Sequence, residues 1–338
     1  MTDPTGLDAL APAAPADAER LAERLARVRA AVAERVVGQD HVIDEALVTV
    51  LARGHALLEG VPGTAKTLLV RALAGALGAA FNRVQFTPDL MPSDVTGVSV
   101  LRDGGDAGGG RRFEFLPGPV FTDLLLGDEI NRAPAKTQAA LLEAMAERQV
   151  TVDGQTRRLG DAFTVFATQN PVEFEGTYPL PEAQLDRFLL KIRVGYPDAA
   201  AELAVLDRYA AGWDAERPAD AAPAPVLDAA DRALVRTAAD GVTVAPEVRA
   251  YVVALVRATR DEPSLTLGGS PRATVALFRA ARAAALLAGR AFATPDDVKA
   301  YAPAVLRHRV ILAPELEVEQ RSADDVLAAV LDRVPAPR

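Results

Sequence analysis

The stretch GVPGTAKT, from Gly60 to Thr67, contains the residue types of a loop that binds phosphate groups. In such a loop the backbone N–H groups, together with those that start the following helix, point at phosphate oxygens. Lys66 would place a positive charge beside the β- and γ-phosphates, and the hydroxyl of Thr67 would bind Mg²⁺. The usual second glycine is missing, because Ala65 precedes the lysine. The motif alone leaves open a working nucleotide site, a decayed one and a chance match in an alanine-rich chain.

Ala65 differs from the usual glycine by one methyl group. That group is tolerated if the φ angle of residue 65 is negative. It costs on the order of 1–3 kcal/mol if the loop needs a conformation that favours glycine. For a working site we therefore predict a negative φ at Ala65.

A pair of adjacent acids ends an apolar run later in the chain, in LLLGDE at 124–129. At the C-terminal end of a strand, Asp128 could hold Mg²⁺ through water while Glu129 polarises the attacking water. Asn170, in FATQNP, would end another strand and could orient the same water, although a polar residue before proline is often only a turn former. Arg187, in LPEAQLDRF, could sense a γ-phosphate, since arginine is always charged and fork-shaped. Surface arginines are common in this chain, so Arg187 taken alone is weak evidence.

Alternating strands and helices would position these residues. We predict strands at 55–60, 83–87, 120–129, 162–171 and 187–194, and helices at 18–34, 40–53, 66–77 and 135–148. Near-continuous apolar strands separated by helices indicate a buried parallel sheet. Asp153-Gly154 marks a hairpin at 149–159. Past Pro197 the strand signals fade, and the pattern predicts a small all-helical domain. Its clearest helices are 246–260, 271–289 and 294–310.

Bulk composition narrows the function classes. The chain has 338 residues and a net charge of −9, which argues weakly against a general nucleic-acid coat. It has no cysteine, which excludes disulfides, thiolate metal sites and cysteine nucleophiles, and its three histidines are not at ligand spacing. Residues 1–16 are rich in Ala and Pro, and we predict a flexible tail rather than a signal peptide. No apolar run reaches the roughly 18 residues of a membrane span, so the cytoplasm is the expected compartment.

Five segments, taken in order, closely resemble the MoxR group of AAA+ ATPases over roughly residues 20–310. They are VVGQD, GVPGTAKT, LLLGDEINRAPAKTQAALLEAMAERQVTV, FATQNPVEFEGTYPLPEAQLDRF and GGSPRA. The third segment and LPEAQLDRF are far more specific than any phosphate loop. In MoxR-type sequences alanine is a familiar variant at the position of Ala65, so the resemblance implies a working site.

The resemblance implies an α/β fold, with an AAA+ P-loop core (17–196) built on a five-stranded parallel sheet and a small all-helical lid domain (197–338). Walker A would comprise Gly60, Pro62, Gly63, Thr64, Ala65, Lys66 and Thr67. Walker B would comprise Asp128 and Glu129, with Thr67 and Asp128 at the Mg²⁺. Asn170 would be sensor 1 and Arg272 the sensor-2 arginine, while Val37 and Gly38 would lie near the adenine of ATP. Arg187 would be an arginine finger that reaches a neighbouring subunit's ATP, which requires a ring, expected to be a hexamer.

MoxR proteins resemble the AAA+ branch that has an insertion in helix 2. Residues 95–121 would be that insertion, a hairpin around a glycine-rich tip at 104–110. The hairpin at 149–159 matches the insertion before sensor 1. In related rings such hairpins face the central pore. The tip has no aromatic residue, which puts a pore-gripping role in doubt.

The function that the resemblance implies is ATP hydrolysis that drives chaperone-like remodelling or maturation of partner proteins. Family members typically work with proteins that bear a von Willebrand factor A domain. This chain carries no such domain, so the partner would be a separate protein. A DNA-working motor of the same branch is an alternative, opposed by the acidic charge and the missing basic-aromatic groove. Two further alternatives are a motor subunit of a metal chelatase and a nucleotide-binding scaffold that does not hydrolyse ATP. Intact Glu129, Asn170 and Arg187 argue against the scaffold.

Overall fold

A computed structural model of the chain describes residues 15–103, 111–170 and 177–337. The flexible tail predicted at 1–16 lies outside these residues, apart from its last two positions, which begin the first helix. The hairpin tip predicted at 104–110 also lies outside them.

Strands and helices alternate through the first part of the described chain. The strands are β1 (Ala56–Glu59), β2 (Phe81–Gln85), β3 (Gly97–Asp103), β4 (Arg111–Pro117), β5 (Leu124–Asp128), β6 (Gln149–Val152), β7 (Gln155–Arg158), β8 (Thr164–Gln169), β9 (Leu190–Arg193), β10 (Thr243–Val244), β11 (Leu265–Leu267), β12 (Phe292–Ala293) and β13 (Ile311–Leu312). The helices are α1 (Pro15–Ala33), α2 (Asp40–Leu51), α3 (Lys66–Leu77), α4 (Pro92–Thr96), α5 (Ala135–Glu147), α6 (Glu182–Leu185), α7 (Ala199–Ala210), α8 (Pro218–Ala221), α9 (Ala229–Ala238), α10 (Pro246–Arg260), α11 (Pro271–Leu287), α12 (Pro295–Leu306), α13 (Pro314–Val318) and α14 (Ala323–Arg333).

The predicted five-stranded parallel sheet is confirmed. Its strand order is β2-β5-β8-β1-β9, and every neighbouring pair is parallel. The carboxyl ends of all five strands therefore meet at one edge, where ligands bind in open α/β sheets. Gln85 is in register with Asp128, and Glu59 with Gln169. The register brings side chains that are far apart in the sequence to one place.

Both faces of this sheet are buried. Successive residues of a strand point to opposite sides, so each strand contributes side chains to both faces. Leu58, Leu126 and Phe166 pack on one side with α1, α2, α3 and helices from the C-terminal part of the chain. Leu57 and Leu125 pack on the other side, in a second cluster with residues of α5. This arrangement explains why the strands are near-continuous apolar runs in the sequence.

Several strand bounds differ from the prediction. Strands β8 and β9 lie within their predicted ranges but are shorter by up to three residues at an end, and β5 begins at Leu124 rather than at residue 120. The preceding residues form tight turns instead, in which the N–H of Phe121 donates to Gly118 O at 3.1 Å. An apolar composition alone cannot separate such a turn from the strand it leads into.

Two antiparallel hairpins project from the core. Strands β3 and β4 pair from Gly97 opposite Pro117 to Asp103 opposite Arg111, so the segment 95–121 contains the predicted hairpin. Strands β6 and β7 pair across Asp153 and Gly154, whose φ angles are 51° and 74°. Two successive positive φ angles are typical of a type I′ turn, as Asp-Gly predicts.

The C-terminal part is helical, as predicted, with two short strand pairs in addition. Strands β10 and β12 are parallel, and β11 and β13 are antiparallel. Helix α12 begins as its sequence predicts, because Thr294 and Asp297 form a reciprocal capping box around Pro295. These strands are only two or three residues long, too short for a pattern in the sequence to indicate.

Candidate nucleotide-binding site

A cavity of about 1120 Å³ lies at the carboxyl edge of the sheet. Most of the predicted site residues line it, namely Val37, Pro62, Gly63, Thr64, Ala65, Lys66, Thr67, Asp128, Glu129 and Asn170. They come from three strand ends and from the segment between α1 and α2. The structure thus brings the phosphate loop, the acid pair and the amide together, as expected from their places after parallel strands.

The phosphate loop is closed around the side chain of Lys66. Its Nζ donates to Gly60 O at 2.8 Å and to Val61 O at 2.7 Å. The hydroxyl of Thr64 donates to Val61 O at 2.9 Å. Burial lowers the pKa of the Lys66 ammonium, while the charges of Asp128 and Glu129 act against this shift. The ammonium is therefore stabilised by carbonyl oxygens and by nearby carboxylates. It could also bind phosphate oxygens.

The prediction of a negative φ at Ala65 is wrong. Ala65 has φ 61° and ψ 21°, in the left-handed region, and it is the residue directly before α3. The chain must reverse here, since Gly63 also has a positive φ (84°) and the first helical bond runs from Leu69 N to Ala65 O. The loop keeps the backbone shape of a glycine loop, and the methyl group bears a cost on the order of 1–2 kcal/mol. The residue type at position 65 does not reveal its φ angle, because the conformation of the loop is set by the strand and helix that it joins.

The acid pair is held by a threonine, Thr168, that was not among the predicted site residues. The hydroxyl of Thr168 donates to Asp128 Oδ1 at 2.5 Å and accepts from Glu129 N at 2.8 Å. Thr168 is buried at the end of β8, next to β5 in the sheet. It lies two residues before Asn170 in the same motif, and this alternation is the signal that could have identified it.

Strand β2 supplies two further side chains. Arg83 donates to Asp128 Oδ2 at 2.7 Å, and Gln85 donates to Glu129 Oε2 at 2.7 Å. Arg132 also contacts Glu129 Oε2, at 2.9 Å. Glu129 has φ 57°, which turns the chain sharply after β5. Arg83 and Gln85 alternate on β2, but without the strand order nothing in the sequence places β2 beside β5.

Two predicted glycines lie outside the cavity and have a structural role. A Cβ on Gly60 would lie 2.3 Å from Val194 O, so the loop can pass β9 only as glycine. Gly38 has φ 71°, and a Cβ there would lie 2.5 Å from the Cβ of Ala201 on α7. Gly38 therefore allows α7 to approach the segment that carries Val37.

Arg187 and Arg272 line a second cavity, of about 1090 Å³, and not the one around Lys66. Arg187 donates to Leu142 O at 2.6 Å, and Arg272 lies 3.9 Å from Asp186 with 76% of its side chain exposed. Arg53, Arg148 and Arg279 line the same second cavity, which makes it strongly cationic. Neither predicted arginine reaches the phosphate loop of its own chain.

The donors at the phosphate loop fit Mg²⁺. This ion takes oxygen ligands, keeps several waters and is held by one or two carboxylates together with substrate phosphates. Asp128 and Thr67 offer such oxygens in one cavity. Within residues 15–103, 111–170 and 177–337, no three His, Cys, Asp or Glu side chains form a cluster that would hold a metal alone.

Comparison with known proteins identifies the family. Residues 55–190 match the ATPase family associated with various cellular activities (AAA), and residues 257–330 match the AAA lid domain. The chain is 42% identical to the chaperone MoxR1 of Mycobacterium tuberculosis, covering 96% of this chain and 86% of the relative. It is 37% identical to the protein MoxR of Methylorubrum extorquens, with coverage of 92% and 95%. The chain belongs to the MoxR family of AAA+ ATPases.

Two further proteins match most of the chain. The protein YeaC of Bacillus subtilis is 47% identical over 89% of this chain and 91% of its own length. A crystal structure from Cytophaga hutchinsonii, provisionally described as that of an ATPase, superposes with a TM-score of 0.85 at 39% identity. The match covers 96% of this chain and 98% of that one. Among the helices of the described ranges, none is both long and apolar enough to cross a bilayer.

Proposed function

We propose that this MoxR-family chain hydrolyses ATP to ADP and phosphate with Mg²⁺, and that hydrolysis drives the remodelling or maturation of partner proteins. The observation that carries the hydrolytic part is the joint placement of Lys66, Asp128 and Glu129 in one cavity. Thr168 holds the Asp128 carboxylate and the backbone N–H of Glu129 there. Gln85 and Arg132 hold the Glu129 carboxylate, so both acids are positioned before any ligand binds. Such preorganisation is what phosphoryl transfer requires, because the protein contributes mainly positioning and electrostatics.

Each residue has a distinct role in this proposal. Lys66 transfers its hydrogen bonds from loop carbonyls to the β- and γ-phosphates, and the loop N–H groups bind the remaining oxygens. Thr67 and Asp128 hold Mg²⁺, which neutralises phosphate charge. Glu129 accepts the proton of the attacking water, and Asn170 orients that water. Gln85 and Arg132 hold the Glu129 carboxylate in this structure, so binding of ATP must release or share it.

The placement of Arg187 and Arg272 supports action between subunits. Both are exposed on a cationic cavity that is separate from their own phosphate loop. In a ring, the triphosphate at one subunit's loop would face the arginines of its neighbour, and each guanidinium would stabilise transition-state charge. We propose a hexameric ring on this basis, with residues 17–196 as core and 197–338 as lid.

A matched set of variants tests the hydrolytic assignment. Phosphate release from Mg·ATP is measured for the full chain, for Glu129→Gln, for Lys66→Ala and for Glu143→Gln. Glu143 is an exposed glutamate on α5 and controls for the change of charge. Glu129→Gln should bind ATP and hydrolyse it at least about 100-fold more slowly, Lys66→Ala should lose binding, and Glu143→Gln should match the wild type. Hydrolysis by Glu129→Gln at the wild-type rate would show that the catalytic assignment is wrong.

The proposed partner is a protein with a von Willebrand factor A domain, and the proposed location is the cytoplasm. The Glu129→Gln form, held with ATP, is the bait for a candidate protein of this class, with Lys66→Ala as the control that cannot bind nucleotide. Capture by the first and not by the second supports the proposal. Equal capture by both variants, or none by either, contradicts a nucleotide-dependent partner of this class.

A further inference from the structure

The segment that contains Arg187 is tied to the C-terminal part of the chain by one buried arginine. Arg309 follows α12, and only 4% of its side chain is exposed. Its guanidinium donates to Asp186 Oδ1 at 2.7 Å, and to the backbone oxygens of Asp186, Phe188 and Leu189 at 3.1, 2.5 and 3.0 Å. Both sequence neighbours of Arg187 are therefore bonded to the same guanidinium.

His308 holds the same segment. It is buried, and its Nε2 lies 3.0 Å from Phe188 O. A carbonyl oxygen only accepts, so Nε2 carries the proton of the neutral imidazole. Burial keeps the imidazole neutral, because it lowers the pKa of His308 well below its ordinary value. Phe188 is itself fully buried, whereas Arg187 beside it is exposed. The backbone around Arg187 thus has a fixed position relative to the end of α12, and its guanidinium lies at the surface.

The carboxylate of Asp186 contacts two arginines with its two oxygens. Oδ1 accepts from the buried Arg309, and Oδ2 lies 3.9 Å from a terminal nitrogen of Arg272, in the first turn of α11. An ion pair as exposed as the second contributes little stability. Its geometry, however, depends on where the first pair holds Asp186. The position of Arg272 relative to Arg187 is therefore linked to Arg309.

Stability alone is a poor reason for this buried charge. Burial lowers the pKa of the Arg309 guanidinium, and the hydrogen bond and charge of Asp186 act against that shift. Compared with apolar side chains of similar volume, a buried ion pair gives little or no net stability. What a guanidinium adds is direction, since its donors form a rigid planar fork. Here that fork is fully used to hold the segment 186–189.

We propose that Arg309 and Asp186 are positioning residues for Arg187 and Arg272, the two arginines that act on a neighbouring subunit's ATP. The inference rests on the proposed function, in which both arginines act between subunits. Arg309 fixes the backbone on either side of Arg187, and Asp186 holds Arg272 near it. All four side chains line the second cavity. One guanidinium from the core and one from the lid are thereby placed together, and phosphoryl transfer depends on such positioning.

Mixing of variants tests this role, because a positioning defect acts on the neighbour's ATP and not on the subunit's own. Arg309→Met removes the guanidinium and keeps an unbranched side chain. We expect Arg309→Met to bind Mg·ATP with unchanged affinity and KM, and to hydrolyse it about 10- to 100-fold more slowly. Added Lys66→Ala subunits should restore part of its activity, since they supply correctly positioned arginines. The double variant Lys66→Ala/Arg309→Met should restore none.

Two further variants separate positioning from folding. Arg307 lies two residues earlier and also joins the C-terminal part to the core, through Lys191 O at 2.8 Å and Asp324 Oδ1 at 3.0 Å. Arg307→Met is therefore the matched control and should keep the wild-type kcat. Asp186→Asn retains the size of the side chain and should show the same slow hydrolysis and the same recovery on mixing. It gives the same test if circular dichroism shows that Arg309→Met does not fold.

The outcomes distinguish the inference from the proposed function. A wild-type kcat in Arg309→Met or Asp186→Asn overturns the inference, and slow hydrolysis by Arg187→Ala in the same assay leaves the proposed function standing. An equal loss in Arg307→Met, or a loss that Lys66→Ala subunits do not repair although they repair Arg187→Ala, shows a structural role and overturns the inference as well. A wild-type chain that does not hydrolyse ATP overturns both.

Discussion

Thr168 donates its hydroxyl proton to Asp128 Oδ1 at 2.5 Å and at the same time accepts the backbone N–H of Glu129 at 2.8 Å. One buried side chain on β8 thereby sets the positions of both acids at the end of β5. Its two hydrogen bonds also satisfy a partly buried carboxylate oxygen and a partly buried N–H group, which would otherwise need other partners.

Thr168→Val should slow ATP hydrolysis about 10-fold or more while leaving ATP affinity nearly unchanged. Valine keeps the shape of the side chain but removes the hydroxyl, which leaves Asp128 and Glu129 less well held, at a cost on the order of 1–3 kcal/mol. The phosphate loop is not touched. Steady-state phosphate release and ATP titration measure the two effects separately. Thr168→Ser, which retains a hydroxyl, is the control and should keep most of the activity. A Thr168→Val enzyme with the wild-type rate would rule out this positioning role.

Ala65→Gly should raise the free energy of unfolding by up to about 1.6 kcal/mol. Relief of the left-handed strain on alanine, about 1–2 kcal/mol, is partly offset by the greater entropy of glycine in the unfolded chain, about 0.4–1 kcal/mol. Urea denaturation followed by circular dichroism measures the change. Ala329→Gly, at an exposed position inside α14, should lower stability by about 1 kcal/mol. Loss of stability in both variants would mean that Ala65 is not strained.

Arg187→Ala should bind ATP normally and hydrolyse it slowly, because Arg187 lies outside its own phosphate cavity. Lys66→Ala protein cannot bind nucleotide but retains Arg187. Mixing the two inactive variants should restore part of the activity, since a Lys66→Ala subunit can supply its arginine to the ATP of an Arg187→Ala neighbour. Phosphate release is followed across a series of mixing ratios. Absence of recovery at every ratio would contradict the arrangement between subunits.

The free energy of unfolding should fall as the pH falls below 6.5, because His55 is buried in its neutral form. Its Nδ1 accepts from Val165 N at 2.9 Å, so Nε2 carries the proton and donates to Met145 O at 3.1 Å. Burial, with the nearby Arg148, lowers the pKa of the folded-state imidazole from 6.5 to about 3. Above pH 6.5 neither state is protonated. Between pH 6.5 and 3 only the unfolded state binds the proton, which removes about 1.4 kcal/mol of stability per pH unit.

Urea unfolding at pH 7 and pH 5 of the wild type and of His55→Gln isolates this contribution. The variant should be less stable at pH 7 and should lose less stability between the two values. The comparison is needed because Glu45 has the opposite effect. Burial raises the pKa of Glu45 to about 7, so its contribution to the free energy of unfolding is lost as the pH rises from 4.5 to 7. Parallel pH dependence in the two proteins would show that His55 is protonated equally well in the folded state.

Much of the site could be predicted because its signals are local. Three of these signals depend on residues only a few positions apart. They are the Gly-rich loop before Lys66, the acids after an apolar run, and the start of α3 at Lys66. The helices at 66–77 and 246–260 also agree with their predicted bounds, since each has an apolar face at helical spacing between clear start and stop signals. The bounds of β5 agree less well, because composition does not show where the chain turns.

By itself, the sequence determined which residues could bind phosphate and metal, that parallel strands would carry them to one edge, and that the chain is MoxR-like. Only the tertiary structure decided the left-handed conformation of Ala65, the bridge from Thr168 to the acids, and the separation of Arg187 and Arg272 from the phosphate loop. It also placed Arg309 against the segment that contains Arg187. The physical reason is the strand order β2-β5-β8-β1-β9, which depends on packing over the whole chain and determines which distant residues become neighbours.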